Sequence, residues 1–309
     1  MNGIITVSLS PVIDIHYSAD SFALGKENYV NSRSIFAAGK AMNVSRGLHE
    51  VGISAEVHLL LGQENASEYL RLASGYAVPI SCITTDGAVR ENISVNTPDG
   101  ETRICFKNYS ISRNILPLFA SKIVGKLSED MAVVFSGSLP DGITQEDFVE
   151  FVLLIKNTVP NTKIILDCPT LSADSIRKIS PFLIKPNYEE SVKLSDGEIT
   201  TAENLCKLTN CEHCVISHGA LGAEFASKSG ESGFIKAPKI KACSTVGAGD
   251  SMIAGILYSF IKEISKGTYT LSEAVKWGVA FGSAACLNKG SEPPIAENVF
   301  RLYREFDRI

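Results

Sequence analysis

No cluster of lysines and arginines interrupts this chain, and no apolar run approaches the roughly 20 residues of a membrane-spanning helix. With 29 Lys and Arg against 34 Asp and Glu in 309 residues, the net charge of −5 argues against a nucleic-acid partner. The N-terminal MNGIITVSLSP lacks a charged n-region and a long apolar h-region. It reads as a first strand rather than a signal peptide, and a cytoplasmic protein without membrane contact is expected. Eight cysteines are scattered at 82, 105, 168, 206, 211, 214, 243 and 286, which does not describe a disulfide scaffold. One stretch, CKLTNCEHC, gathers Cys206, Cys211, His213 and Cys214, residue types that can hold a metal. Cys214, however, opens CVIS, a buried-strand pattern in which thiols pack as small hydrophobes. Internal repeats and low-complexity segments are missing. So are two nucleotide signatures, the G-x-x-x-x-G-K-[ST] P-loop and a G-x-G-x-x-G between the first strand and helix.

What remains is ordinary globular composition, 45% apolar and 20% charged. From about residue 120, short apolar runs alternate with helical stretches. MAVVF (131–135), KIILD (163–167), PFLIK (181–185) and CVIS (214–217) are the runs, and the helices fall near 144–157, 172–179 and 200–208. Continuous apolar strands separated by helices predict a parallel sheet covered on both faces. The chain closes with helices over 271–287 and 295–305.

The N-terminal third differs. IITVSL and AEVHLLLG read as core strands flanking an amphipathic helix, on which Val44, Leu48 and Val51 share a face and Gly52 is the stop. VIDIHYSA (12–19) and NISVNTPDGETRICF (92–106) instead alternate with period two, the latter around a Pro98-Asp99-Gly100 turn. NYVNSRSIF (28–36) is a further candidate strand. These three segments predict a small one-sided sheet beside the core, whose open face needs a ligand or a second subunit to cover it.

The most informative stretch is STVGAGDSM, Ser244 to Met252. A glycine-rich turn opens there into a helix whose stripe is Met252, Ile253, Ile256, Leu257 and Phe260. The first N–H groups of a helix have no partner within it, and its dipole favours negative charge in front of them. Asp250 sits at the mouth of this anion-sized pocket, as a helix cap on one reading and as a working carboxylate on the other. Gly219 and Gly222 in SHGALGAEF follow a strand and are equally explained by a tight turn between two strands.

In family order, SPVIDIHY, AAGKAMNVSRGLHEVG, VRENISV, FSGSLPDG, LIKPNYEE, VISHGALGA and STVGAGDSM resemble the ribokinase/PfkB carbohydrate-kinase family, in its phosphosugar branch. The matches run from residue 10 to about 290. The resemblance implies one ribokinase-like domain over 1–309, a three-layer α/β/α core with a mainly parallel sheet and a small β lid. It implies that Asp250 is the general base towards a sugar hydroxyl, with the N–H groups of Gly247, Ala248 and Gly249 as an anion hole. Lys185, Asn187, Ser217, Gly219, Gly222 and Asn288 fall where the family meets ATP, and Asn187 with Glu190 where it holds hydrated Mg²⁺.

For the sugar the resemblance implies Asp14, Gly39, Lys40, Asn43, Arg90, Asn92 and Ser138. Lys40 and Arg90 together suit a substrate that already carries a phosphate dianion. The expected reaction is ATP-dependent phosphorylation of a ketohexose monophosphate to a bisphosphate, fructose 1-phosphate first and tagatose 6-phosphate as the alternative, with fructose 6-phosphate third and a non-catalytic sugar-phosphate sensor as the reading from another class. A homodimer joined through the lid is also implied. Two departures bear on the substrate: Ala41 stands where the branch usually has glycine, and Ser10 where it has asparagine. If site 41 needs a positive φ, the added methyl restricts it.

Overall fold

The computed structural model describes residues 3–107, 109–264 and 269–306. The chain begins β1 (Ile4–Ser8), β2 (Val12–Ser18), β3 (Ser32–Ala38), α1 (Lys40–His49), β4 (Ala55–Gly62), α2 (Ala66–Ala73) and β5 (Ile80–Thr85). It continues with β6 (Arg90–Thr97), β7 (Gly100–Cys105), α3 (Leu116–Val124), β8 (Ala132–Ser136), α4 (Gln145–Thr158), β9 (Lys163–Asp167), α5 (Ala173–Ile179) and β10 (Leu183–Ile184). It ends α6 (Tyr188–Leu194), α7 (Ala202–Thr209), β11 (His213–Ser217), β12 (Gly222–Ser227), β13 (Ser232–Lys236), α8 (Ala248–Ile264), α9 (Leu271–Ala285) and α10 (Ala296–Tyr303).

Nine strands form one sheet in the order β13-β12-β11-β10-β9-β8-β1-β4-β5. All neighbours are parallel except β11–β12 and β12–β13, an antiparallel edge. Alternation within the strands decides what covers each face. On β8, Val133 and Phe135 pack with Phe119, Phe148 and Phe151 of α3 and α4, and α5 and α7 extend that layer. Ala132 and Val134 point the other way, into α1, α8, α9 and α10. Helix starts follow local capping: Thr144, Ser172, Thr201 and Thr270 each accept a hydrogen bond from the backbone N–H three residues on. The result is a three-layer α/β/α core.

The lid is a separate four-stranded sheet, β3-β2-β6-β7. β2 and β6 pair in parallel, in register Asp14↔Asn92, while β6 and β7 form the hairpin expected from Pro98-Asp99-Gly100. Ile13 and Ile15 turn inward onto Leu59, Leu61 and Tyr69. The strand expected over 28–36 starts only at Ser32, because Asn28 bonds both the N–H and the C=O of Ala23 and closes a local loop. The strand expected over 181–185 is confined to Leu183–Ile184. Ala41 lies in the first turn of α1 without a positive φ and packs in the cluster beneath the lid, so its methyl stays out of the cleft. Ser10 is buried at the β1–β2 link.

The cysteine stretch packs as core. Cys206, Cys211 and Cys214 are buried, and His213 meets Phe182 edge-on at 4.7 Å. Among the described residues no group of three or more His, Cys, Asp or Glu is arranged to hold a metal ion, and no helix is long and apolar enough to cross a membrane.

Candidate active site

The parallel strands end together along one edge of the sheet, where α/β folds place their crevices. A cleft of 910 Å³ opens there between that edge and the lid. β9 and β10 pair Leu183↔Ile165 and Ile184↔Leu166, so Asp167, the last residue of β9, and Lys185, just past β10, come to lie side by side. Lys185 Nζ lies 3.5 Å from Asp167 Oδ1, and Lys40 Nζ, from the start of α1, lies 3.1 Å from Oδ2. Burial opposes ionisation of Asp167, but the two ammonium groups overcome it and hold the carboxyl below the usual range. Burial likewise opposes the charge on Lys40, yet Asp167, Asp250 and Glu190 raise it above the ordinary lysine value.

Asp250 stands in the first turn of α8, inside the helix rather than at its cap. Asn43 Nδ2 donates to its Oδ2 at 2.8 Å, which fixes the carboxylate across α1 and α8. Burial first, and then the charge of Asp167, push the Asp250 carboxyl up to about 6. In front of it Gly247 takes φ 77°, a left-handed turn that glycine adopts without strain. The Ala248 N–H is turned onto Thr245 O at 3.3 Å, whereas the Gly247 and Gly249 N–H groups have no partner among the described residues. A Cβ at position 249 would stand 3.2 Å from Lys185 Nζ. Glycine there lets the ammonium and the helix N-terminus face the same point.

The lid contributes the opposite wall. Period two in β6 puts Arg90, Asn92 and Ser94 on one face, and the register lays Asp14 of β2 beside Asn92. Asn92 Nδ2 donates to Asp14 Oδ1 at 3.1 Å, and Arg103 Nη2 from β7 reaches the same oxygen at 3.4 Å. Burial lowers the proton affinity of the Arg90 guanidinium. Its Nε, like Asn92 Oδ1 and Asn43 Oδ1, is buried without a hydrogen-bond partner among the described residues. Gly39, with φ 121°, links β3 to α1 at the cleft.

At the far end Asn187 and Glu190 cap α6 reciprocally. Asn187 Oδ1 accepts from the Glu190 N–H at 2.8 Å, and Glu190 Oε2 from the Asn187 N–H at 2.9 Å. Ser217 ends β11 beside them, and a single helical turn over Gly219–Leu221 joins β11 to β12. Beyond it the wall becomes small and apolar, with Ala237, Pro238, Ile240, Val246, Val279 and Gly282. Gly222 has φ 122°, and a Cβ there would stand 2.0 Å from Ile235 O. Replacing Gly222 with Ala is therefore expected to cost about 3 kcal/mol of stability through backbone strain and displacement of β13. Urea unfolding measures it, and an unchanged midpoint would remove this account of the glycine.

Of the residues expected from the sequence, all line the cleft except two. Ser138 follows β8 in the loop just outside, and Asn288 Nδ2 is turned away onto Pro293 O at 2.6 Å. Among the lining residues outside the expected set, Asp167 and Arg103 make the ion pairs described above. Asp167 could have been suspected because it closes KIILD, a buried strand whose carboxyl end reaches the site edge. Arg103 could have been found by continuing the alternation of β6 across the hairpin.

A family model described as pfkB family carbohydrate kinase matches residues 4–298. The 1-phosphofructokinase of Escherichia coli (strain K12) is 30% identical over 285 residues, covering 87% of this chain and 88% of that protein. The tagatose-6-phosphate kinase of Staphylococcus epidermidis is 30% identical over 292 residues, covering 90% of each. The crystal structure of phosphofructokinase-2 from Escherichia coli in complex with potassium shares the fold, with a TM-score of 0.89 over 100% of both chains at 23% identity. A family match over nearly the whole length, on a core and lid that converge on one cleft, makes this chain a member of the pfkB family of carbohydrate kinases and a phosphotransferase.

Proposed function

We propose that this kinase transfers the terminal phosphoryl group of ATP to a ketohexose monophosphate and releases a bisphosphate, with fructose 1-phosphate as the first substrate and tagatose 6-phosphate as the alternative. The observation that carries the reading is Asp250, a buried carboxylate fixed by Asn43 beside the Gly247 and Gly249 N–H groups and Lys185. A carboxylate in an anion pocket is costly unless it meets a proton donor there. A sugar hydroxyl is such a donor: Asp250 takes its proton as the oxygen attacks, while the glycine N–H groups and Lys185 bear on the transferring phosphoryl oxygens. Asp14 and Asn92 suit sugar hydroxyls, and Arg90 suits a phosphate dianion. The names of the two relatives at 30% identity support a phosphorylated sugar.

Mg²⁺, when bound, neutralises charge on the phosphates. The residues fit it loosely: the capping pair commits Asn187 Oδ1 and Glu190 Oε2, leaving the second oxygen of Glu190 for the water shell of the ion. ADP release tests the reading, with Mg²⁺-ATP and fructose 1-phosphate, tagatose 6-phosphate, fructose 6-phosphate, fructose, ribose and adenosine in turn. Preference for one ketohexose monophosphate is the expected result, and turnover of unphosphorylated compounds alone would overturn it.

The homodimer belongs to the same proposal. Tyr29, Val30, Ile104 and Phe106 on the lid strands and their flanks are exposed, an apolar set that a second lid would cover. Light scattering is expected to give twice the chain mass of 33.2 kDa. A single-chain mass would remove the dimer and leave the chemistry untouched.

A further inference from the structure

We propose that Arg103 is a phosphate gauge: it keeps Asp14 occupied until the anion of a phosphorylated sugar draws it away. This rests on the phosphosugar reading above and adds how the site rejects the free sugar.

Arg103 lies on β7 opposite Ser94, on the lid face that also carries Arg90 and Asn92. Its Nη2 contacts Asp14 through one nitrogen and one oxygen at 3.4 Å, longer than the ~2.8 Å of a tight charge-assisted bond. The Arg103 side chain is 37% exposed, whereas that of Asp14 is 8% exposed. A long, single contact to a half-exposed guanidinium is weak and exchangeable.

Charge balance shows what it exchanges for. Lys40 and Lys185 both lie on Asp167 at the core wall. On the lid wall Asp14 is the acid that faces two guanidiniums, Arg90 and Arg103, and Arg90 Nε is buried without a hydrogen-bond partner among the described residues. One positive charge is thus left over on the face that meets the sugar, and two planar donor sets converge there. A phosphate dianion matches both. When it takes Arg103, Asp14 Oδ1 is released towards a sugar hydroxyl and retains Asn92 as its support. A sugar without phosphate must displace Arg103 from Asp14 and gets nothing in exchange. The penalty falls twice on the wrong substrate, once through a missing anion contact and once through a blocked acceptor.

The test is an Arg103→Met variant assayed on the phosphosugar that the wild type prefers and on the corresponding free ketohexose. For the phosphosugar, KM is expected to rise ~30-fold or more with kcat within ~3-fold, the size of a lost charge-assisted contact. For the free sugar, kcat/KM is expected to hold or rise, because Asp14 is no longer covered. Arg103→Lys should restore part of the phosphosugar KM, since the charge returns without the planar fork. An equal fall on both substrates would reduce Arg103 to a structural role, and an unmoved phosphosugar KM would remove the proposal. A wild type that turns over only free sugars would sink the underlying reading first, before any variant is made. Arg103 is on an exposed edge strand, so thermal unfolding is expected to be unchanged; should the Met variant not fold, Arg103→Gln gives the same split.

Discussion

Asp250→Asn is expected to lower kcat by at least ~10²-fold, the scale on which a positioned general base acts. Asparagine keeps the shape, and its carbonyl oxygen still accepts from Asn43 Nδ2, so the start of α8 has no reason to move. What is lost is the ability to take a proton from the attacking hydroxyl. The small apolar wall from Ala237 to Gly282 is untouched, and calorimetry should therefore return an ATP affinity near that of the wild type. The wild-type pH profile carries the same signature. A carboxyl pushed up to about 6 is protonated below that value and idle as a base, so kcat/KM should rise as pH passes upward through about 6 and then level off. That limb should disappear in the asparagine variant. Turnover close to wild type would mean that the proton goes elsewhere.

Asp167→Asn is expected to do more damage from a position that need not touch the sugar. Its carboxylate is the shared partner of Lys40 and Lys185, and the Lys185 side chain is only 4% exposed. Removing one member of a buried charge cluster strands the others, at a cost of about 3 kcal/mol in stability. The second effect is electrostatic. After burial, the charge of Asp167 is what raises the Asp250 carboxyl, while the two lysines lower it. Neutralising Asp167 leaves Asp250 facing the lysines alone, so the acid limb of the rate profile should move below 6. The Asp167 carboxyl is itself held below the ordinary range, so its own contribution to stability is present above the ordinary carboxylate pKa and fades as pH falls through the lowered one. Equilibrium unfolding and kcat/KM against pH give both readouts from one variant. A limb that stayed put, or moved up, would show that the two carboxyls do not feel each other.

These two residues also mark where sequence reading succeeds and stops. Asp250 was legible because its meaning is local: a glycine-rich turn, an acid and an apolar helical stripe are contiguous, and backbone geometry ties them together. The alternation of β6 and the hairpin turn at Pro98-Asp99 were legible for the same reason. Asp167 was not, because its meaning comes from β9 lying next to β10 and from Lys40 at the start of α1 reaching it from far away in the chain, and neither adjacency is written within any short stretch. Arg103 depends on the register across a hairpin, Ser94 opposite it, and on β2 pairing in parallel with β6 from far away in the chain. Asn288, whose position the resemblance places at the nucleotide, lies outside the lining of the cleft, with its amide closing a turn onto Pro293. Ser138 likewise lies one loop step outside the cleft.

The lid joins the core at four separate places, the links β1–β2, β3–α1, β5–β6 and β7–α3. It is therefore not a cassette, and no single cut and splice could move it from one kinase to another. A transplant would need four matched junctions, and the one at Gly39 is unforgiving, since its φ of 121° and a Cβ position 3.3 Å from Pro11 Cα admit little but glycine. Re-aiming substrate choice in such a scaffold is simpler by exchange of single side chains along β2, β6 and β7, which leaves the splice points as they are.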